Sequence, residues 1–296
     1  MQKTSKKYAA AGRLALFFTT VIWGTSFVIL KNSLDGIGVL WILTIRFTMA
    51  GLLFALLARK RLKKVSRESF RGSAYMGICL AAAYIVQTYG LKYTTPGKNA
   101  FLTSIYCVIV PFMAWFFYRR KPGVHNIIAA FMCFAGIGFV ALDSGFGNIN
   151  IGDVLTLICG LFYAMQICLM EQYISGCDSL SISAIQFSTA AVICLVGALL
   201  FEPAPKELPR ELIFSILYMG VMCTGVCFFL QAWGMQYTPS STASMIMTLE
   251  AVFGTLFSVL LYHEKLTPKL LVGFTLIFFA VVLSETGAGL FKKAKG

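Results

Sequence analysis

Ten apolar stretches, each roughly 20 residues long, run through the sequence with short polar breaks between them: 14–30, 39–58, 72–91, 99–118, 125–142, 153–171, 180–200, 212–232, 241–262 and 269–286. At about 1.5 Å of rise per residue, a helix of that length crosses roughly 30 Å of hydrocarbon. A backbone in lipid must satisfy its polar groups internally, so open sheets and irregular chain are excluded there. The breaks carry turn residues: Asp35-Gly36, the basic run 59–71, Thr95-Pro96-Gly97, Lys121-Pro122-Gly123, SGFGNIN at 144–150, Gly176, PAPKELP at 203–209, Thr238-Pro239 and Thr267-Pro268. The sequence therefore predicts an all-α polytopic membrane protein with ten transmembrane helices.

Composition agrees with this: 58% of residues are apolar and only 12% charged, about half the charged share of a soluble domain. The net charge of +13 then reads as basic loops at a membrane surface, not as a nucleic-acid footprint. Taking alternate connections, one set with both termini holds 17 Lys and Arg, the other holds 7, and Arg46 lies inside a span. By the positive-inside rule the first set is cytoplasmic, which places both termini in the cytoplasm of a cell whose plasma (inner) membrane holds the protein. The N-terminus has a basic head and an apolar body but no small-residue cleavage site, so it is expected to remain as the first span. Of the nine cysteines all but Cys177 fall in apolar runs. No C-x-x-C or Cys/His cluster occurs, so they read as packing residues and no metal or cofactor is expected.

The chain repeats itself. YIVQTYGLKYT at 84–94 aligns with FFLQAWGMQYT at 228–238 at an offset of 144, matching Gln87 with Gln231, Gly90 with Gly234, Tyr93 with Tyr237 and Thr94 with Thr238. The same offset sets YRRK at 118–121 against YHEK at 262–265, and an offset of 140 pairs IRFT at 45–48 with IQFS at 185–188. Each copy holds five spans, 14–142 and 152–286. Five is odd, so the second copy enters the membrane inverted, and the two equivalent structures open to opposite faces, as alternating access requires.

Ordered along those spans are WGTSFV at 23–28, IRF at 45–47, YGLKYTTPGKNAFLTS at 89–104, Lys121-Pro122, Gly152-Asp153 and TLEAVFGTLFSVLLYHEKLTP at 248–268. In these the sequence resembles the drug/metabolite transporter superfamily, EamA-type branch, over nearly its whole length. It departs from that pattern at Ala251, where a proline is usual. The resemblance implies two inverted five-helix repeats around a central cavity lined mainly by spans one, three, four, six, eight and nine, with spans five and ten peripheral. It also implies a secondary transporter of small polar organic metabolites, with export of amino acids and related compounds the best-known use.

Within this frame Glu250 is the one carboxylate well inside a span. Insertion costs about 2.5 to 3.5 kcal/mol at mid-bilayer, so it must face the cavity or a partner. It reads either as a contact for a substrate amine or a proton-linked switch, or as a structural carboxylate that fixes span nine. Arg46 reads as an anchor that snorkels or pairs with carbonyls, or as a partner for an acid. Gln87 and Gln231 read as solute contacts or as interhelical bonds. Trp23, Tyr84, Asn99, Thr103, Ser104, Tyr106, Tyr163 and Gln166 complete the candidate lining, with packing as the competing role for the aromatics. Asp153 reads as the N-cap of span six. Gly51, Gly77, Gly136, Gly138, Gly160, Gly220 and Gly225 are expected to admit close helix approach.

Enzymatic readings find no support: H-E-x-x-H, G-x-S-x-G and paired aspartates are missing, and Gly97-Lys98-Asn99 does not make a phosphate loop. That leaves a secondary carrier with a small-molecule substrate. A passive facilitator, a channel or a membrane receptor is the alternative.

Overall fold

In a computed structural model, residues 6–119, 121–143, 150–173, 178–205, 209–238, 243 and 246–293 are described. Cys177, Gly176, Pro239 and the predicted start of the ninth span lie outside them. Ten helices follow in chain order among the described residues: α1 (Lys6–Ser33), α2 (Val39–Leu62), α3 (Arg67–Tyr93), α4 (Pro96–Ser104 and Tyr106–Tyr118), α5 (Val124–Asp143), α6 (Ile151–Tyr173), α7 (Ser179–Phe201), α8 (Arg210–Leu217, Tyr218–Val226 and Cys227–Tyr237), α9 (Leu249–Tyr262) and α10 (Pro268–Lys293). Among the described residues nine are long and apolar enough to cross a membrane, and α9 is shorter. The chain is a multi-pass helical membrane protein. Rings such as Phe116, Phe131, Phe134 and Phe201 project from the bundle, where hydrocarbon, not water, is the solvent.

The helix ends follow from local chemistry. Ser66 and Asp178 accept from the N–H groups of Ser69 and Ser181 and so cap α3 and α7. At α6 the sequence expectation fails: Asn150 Oδ1 takes the Gly152 N–H at 2.7 Å. The cap is thus already made one turn earlier, and Asp153 is released for contacts with other helices.

Two helices are broken in ways that matter inside the bundle. In α4 the helix is interrupted at Ile105 and carries Pro111 further on. Pro111 has no N–H for the carbonyl of Cys107, and Ser284 of α10 fills the gap, its Oγ donating to that oxygen at 3.1 Å. The proline that bends α4 thereby docks α10. In α8 residues Tyr218–Val226 widen into a π-helical turn, a form that recurs at functional sites. Thr224 Oγ1 reaches back five residues to Met219 O at 2.9 Å.

Packing relies on small residues, because lipid offers helices no hydrophobic incentive to associate. A Cβ on Gly152 would lie 2.6 Å from Gly90 O, and one on Gly90 would lie 2.9 Å from Gly152 O, so α3 and α6 touch backbone to backbone. Gly12 of α1 and Gly234 of α8 meet in the same way, as do Gly136 of α5 and Gly273 of α10. Gly138 does not serve as expected, for it faces open space. It lies two residues from Gly136, nearly opposite on a helix of 3.6 residues per turn. Gly152→Val is expected to cost about 1 to 3 kcal/mol through overpacking, while Gly138→Ala, whose methyl meets open space, holds or raises stability; thermal unfolding in detergent measures both. α2 packs on α7, with Phe47, Phe54 and Phe187 stacked between them, and α5 pairs with α10 at the edge of the bundle.

Candidate functional site

Arg46 is carried by α2, outside the set of helices expected to line the interior, yet its side chain is turned into the bundle and only 3% exposed. The guanidinium lies over the Tyr84 ring, 4.8 Å from its centroid, an arrangement in which the negative face of the ring stabilises the cation. Nε donates to Thr224 Oγ1 at 2.6 Å. This contact depends on the π-helical turn, which takes the same hydroxyl's proton to Met219 O and leaves its lone pairs for Arg46. Among the described residues no acceptor meets the terminal nitrogens Nη1 and Nη2.

Glu250 is the second residue of α9, directly after the turn at Thr248. A helix N-terminus favours an anion there, and the carboxylate is enclosed by the bundle while keeping some accessible surface. No hydrogen bond or ion pair holds it among the described residues. Its charge nevertheless reaches Tyr84, Tyr106, Tyr163, Cys223 and Cys227, and Arg46 reaches it in turn. Arg46 and Glu250 therefore lie within electrostatic reach of each other and of the same tyrosines without forming an ion pair, and the region they share is here called the chamber.

Aromatic rings wall the chamber. Tyr84 meets Tyr163 edge to face at 5.6 Å, and Tyr106 leans on Tyr163 at 5.9 Å. Trp23 meets Phe228 at 5.3 Å and donates Nε1 to Cys223 O at 2.6 Å. The sequence offsets recur in these pairs: Trp23 and Tyr163 are 140 apart, Tyr84 and Phe228 are 144 apart. The charges break that correspondence, because Arg46 answers to Gln186 and Glu250 to Tyr106. The walls are alike from both halves, whereas the polar ends differ.

Trp23, Arg46, Tyr84, Tyr106, Tyr163 and Glu250 are thus brought together, Gln87 joins them through the Tyr163 hydroxyl, and the remaining candidates make other contacts. Asn99 is fully buried, its Nδ2 donating to Thr156 Oγ1 at 2.7 Å and Gln87 O at 3.3 Å. Gln87 donates to Thr103 Oγ1 and accepts from the Tyr163 hydroxyl, both at 2.9 Å. These amides bind α3, α4 and α6 to one another, while Asn99 Oδ1 is buried with no hydrogen-bond partner among the described residues. Gln166 is spent in the same way on Gln186, at 3.3 Å. Ser104 donates to Phe101 O in its own helix. Gln231 is half-buried on α8 with no hydrogen bond among the described residues. Sequence reasoning missed Thr224, whose role depends on a local widening of α8. Its only sequence sign is the flanking Gly220 and Gly225.

Comparison with known proteins agrees with this architecture. The EamA-like transporter family matches residues 10–142 and 150–286. An uncharacterized transporter of Archaeoglobus fulgidus is 33% identical over 270 residues, covering 91% of this chain and 84% of its own. The S-adenosylmethionine/S-adenosylhomocysteine transporter of Chlamydia muridarum is 24% identical, covering 91% of both chains. A solved crystal structure shares the fold with a TM-score of 0.69 at 14% identity, covering 97% of this chain and 99% of that one.

Proposed function

The chain belongs to the EamA-like transporter family, a transporter and not an enzyme, and from that premise we propose that it is a secondary carrier for small zwitterionic metabolites of the amino-acid type. The observation that carries this reading is the pair of opposite, incompletely satisfied charges, Arg46 stacked on Tyr84 and Glu250 within electrostatic reach of the same tyrosines. Inside a low-dielectric bundle such charges are costly unless something completes them. A solute with a carboxylate and an ammonium does so at both ends: the free guanidinium nitrogens take the carboxylate, Glu250 takes the ammonium, and the tyrosine rings cover the part between. The Chlamydia muridarum relative is named for two compounds that are themselves α-amino acids, which supports the same headgroup here.

Movement across the bilayer follows in this reading from two five-helix repeats, 14–142 and 152–286, inserted in opposite senses. Three observations support the repeat. Arg119 and His263, the non-glycine residues with positive φ among those described, both at 57°, are 144 apart. The interruption of α4 at Ile105 and the turn before α9 at Thr248 stand at nearly that spacing. The Gly90–Gly152 and Gly12–Gly234 contacts pair α3 with α6 as they pair α1 with α8. The carrier would sit in the plasma membrane with both termini in the cytoplasm and serve export. A channel fits less well, because hydrogen bonds from three elements cross the 94–98 end of the bundle.

The test is competition in proteoliposomes loaded with a mixture of amino acids. Zwitterionic amino acids are expected to compete for counterflow, and their N-acetyl and methyl ester derivatives to compete at least tenfold less well. Charge-assisted hydrogen bonds contribute about 1.5 to 3 kcal/mol each, and 1.4 kcal/mol is about tenfold in affinity. Equal competition by the blocked derivatives removes the zwitterion from consideration.

A further inference from the structure

α9 and α10 follow one another in the chain but pack on different neighbours. A Cβ on Gly24 of α1 would lie 2.5 Å from Phe253 Cβ of α9, and one on Gly254 of α9 would lie 2.6 Å from Ala100 Cβ of α4. These close approaches draw α9 against α1 and α4, whereas Gly273 holds α10 against Gly136 of α5. A groove of about 490 Å³ is left between the two helices. Its floor is Phe101 of α4, stacked on Phe274 of α10 with ring centroids 4.4 Å apart. Val259, Leu266 and Phe278 line it, and Val252, Leu256, Leu271 and Phe279 stand exposed along its walls. Of its two threonines, Thr275 donates to Leu271 O at 2.7 Å and Thr255 keeps its Oγ1 buried, so what faces the groove is hydrocarbon.

The groove ends at the connection 263–267, where the exposed charge is of one sign. Lys265 precedes the lining residue Leu266, Lys269 stands two residues before Leu271, and both lysines are exposed. The acid beside them is committed elsewhere. Glu264 is buried and accepts from Thr95 Oγ1, from the Gly97 N–H at 3.0 Å and from Ser258 Oγ, so its charge is spent inside the bundle. A slot lined by hydrocarbon with two ammonium groups at its interfacial end matches a molecule that the membrane itself supplies, an acyl chain carrying an anionic headgroup. A second copy of this chain fits less well. Seated here about an axis along the membrane normal, it would bring the same two lysines to the same level, and like charges repel.

We infer that the groove between α9 and α10 is a binding site for one anionic phospholipid, with an acyl chain lying over Phe101 and Phe274 and the phosphate held by Lys265 and Lys269. None of the lining residues belongs to the chamber, so the site stands whether or not the zwitterion reading holds. A lipid bound there bridges α10 to α9, the helix that carries Glu250. It stabilises the folded bundle by mass action, because the unfolded chain has no such groove.

The test uses the full chain, delipidated in detergent, with phosphatidylglycerol and phosphatidylcholine of identical acyl chains as probes. Native mass spectrometry and thermal unfolding read the binding. The parent chain is expected to retain one phosphatidylglycerol and to gain thermal midpoint saturably, at a concentration at least tenfold lower than with phosphatidylcholine. Tenfold corresponds to about 1.4 kcal/mol, within what two lysines supply toward an anionic headgroup. Lys265→Gln/Lys269→Gln should abolish that preference and leave the weaker binding common to both lipids. Raised salt should do the same to the parent chain, which reads the preference without any substitution. Thr275→Trp, at an exposed position on the groove wall, should weaken both lipids at least tenfold by filling the slot. Equal affinity for the two lipids in the parent chain, or unchanged phosphatidylglycerol binding in both variants, overturns the site and leaves an ordinary lipid boundary. A parent dimer that Thr275→Trp disperses overturns it as well, since a second copy then occupies the groove.

Discussion

Glu250→Gln is expected to reduce saturable transport of a zwitterionic amino acid by about 10- to 100-fold, through loss of affinity, while the protein still inserts and folds. The size follows from the role. The carboxylate makes no hydrogen bond or ion pair within the described protein, so its replacement by a neutral isostere leaves no buried donor stranded. What disappears is the charge-assisted bond to the ammonium, about 1.5 to 3 kcal/mol. Glutamine relieves the insertion cost of a buried acid but gives up its attraction to Arg46, so the thermal midpoint should change little. Transport assays in proteoliposomes and thermal unfolding in detergent separate the two effects. A structural carboxylate fixing α9 makes the opposite forecast, with stability falling and the affinity of whatever folded protein remains unaltered.

Arg46→Gln is expected to produce the complementary loss, with a difference in stability. Glutamine already occupies the corresponding place in the second half, at Gln186, so the substitution fits a helix environment the fold uses elsewhere. Affinity for the zwitterion should fall by a similar factor, and the preference should move toward amines that lack a carboxylate, because Glu250 is retained. Arg46 also stacks on Tyr84 and donates to Thr224, and it is the cation whose field reaches Glu250. Its removal leaves that carboxylate without a counter-charge in the interior. The single variant should therefore unfold more readily than Arg46→Gln/Glu250→Gln. The non-additivity in a double-mutant cycle should be about 0.5 to 3 kcal/mol, the range for groups that share a site. Strict additivity would mean that the two charges do not sense each other.

How far the sequence could be read depended on the kind of information each feature carries. The spans were legible because apolar length is a one-dimensional property. α2 and α7 begin where the apolar runs at 39 and 180 predict, within a residue. Other ends lie further off, since the helices continue into the interface: α1 starts at Lys6 and α3 at Arg67, before their apolar cores. The candidate polar residues were harder. Gln87, Asn99 and Gln166 are found on the expected helices, but a sequence does not say which way a side chain on an interior helix turns, and each amide is spent on a neighbouring helix. Asp153 was misjudged for a related reason. A local cap was the nearest explanation for an acid at a helix start, and only the position of Asn150 shows that the cap was already made.

The sequence by itself determined that this chain crosses a membrane many times as helices, because no other arrangement of such apolar runs satisfies a backbone in lipid. It also determined that a carboxylate in the ninth run needs a polar reason to be there. Only the tertiary structure decided what surrounds that carboxylate. Arg46 arrives from a helix outside the expected cavity lining, held by a threonine that a π-helical turn makes available, and Glu250 stays unpaired within reach of the tyrosines. Those relations join residues as far apart in sequence as Arg46 and Glu250, and the energies that fix them belong to the packed bundle, not to any single stretch of chain.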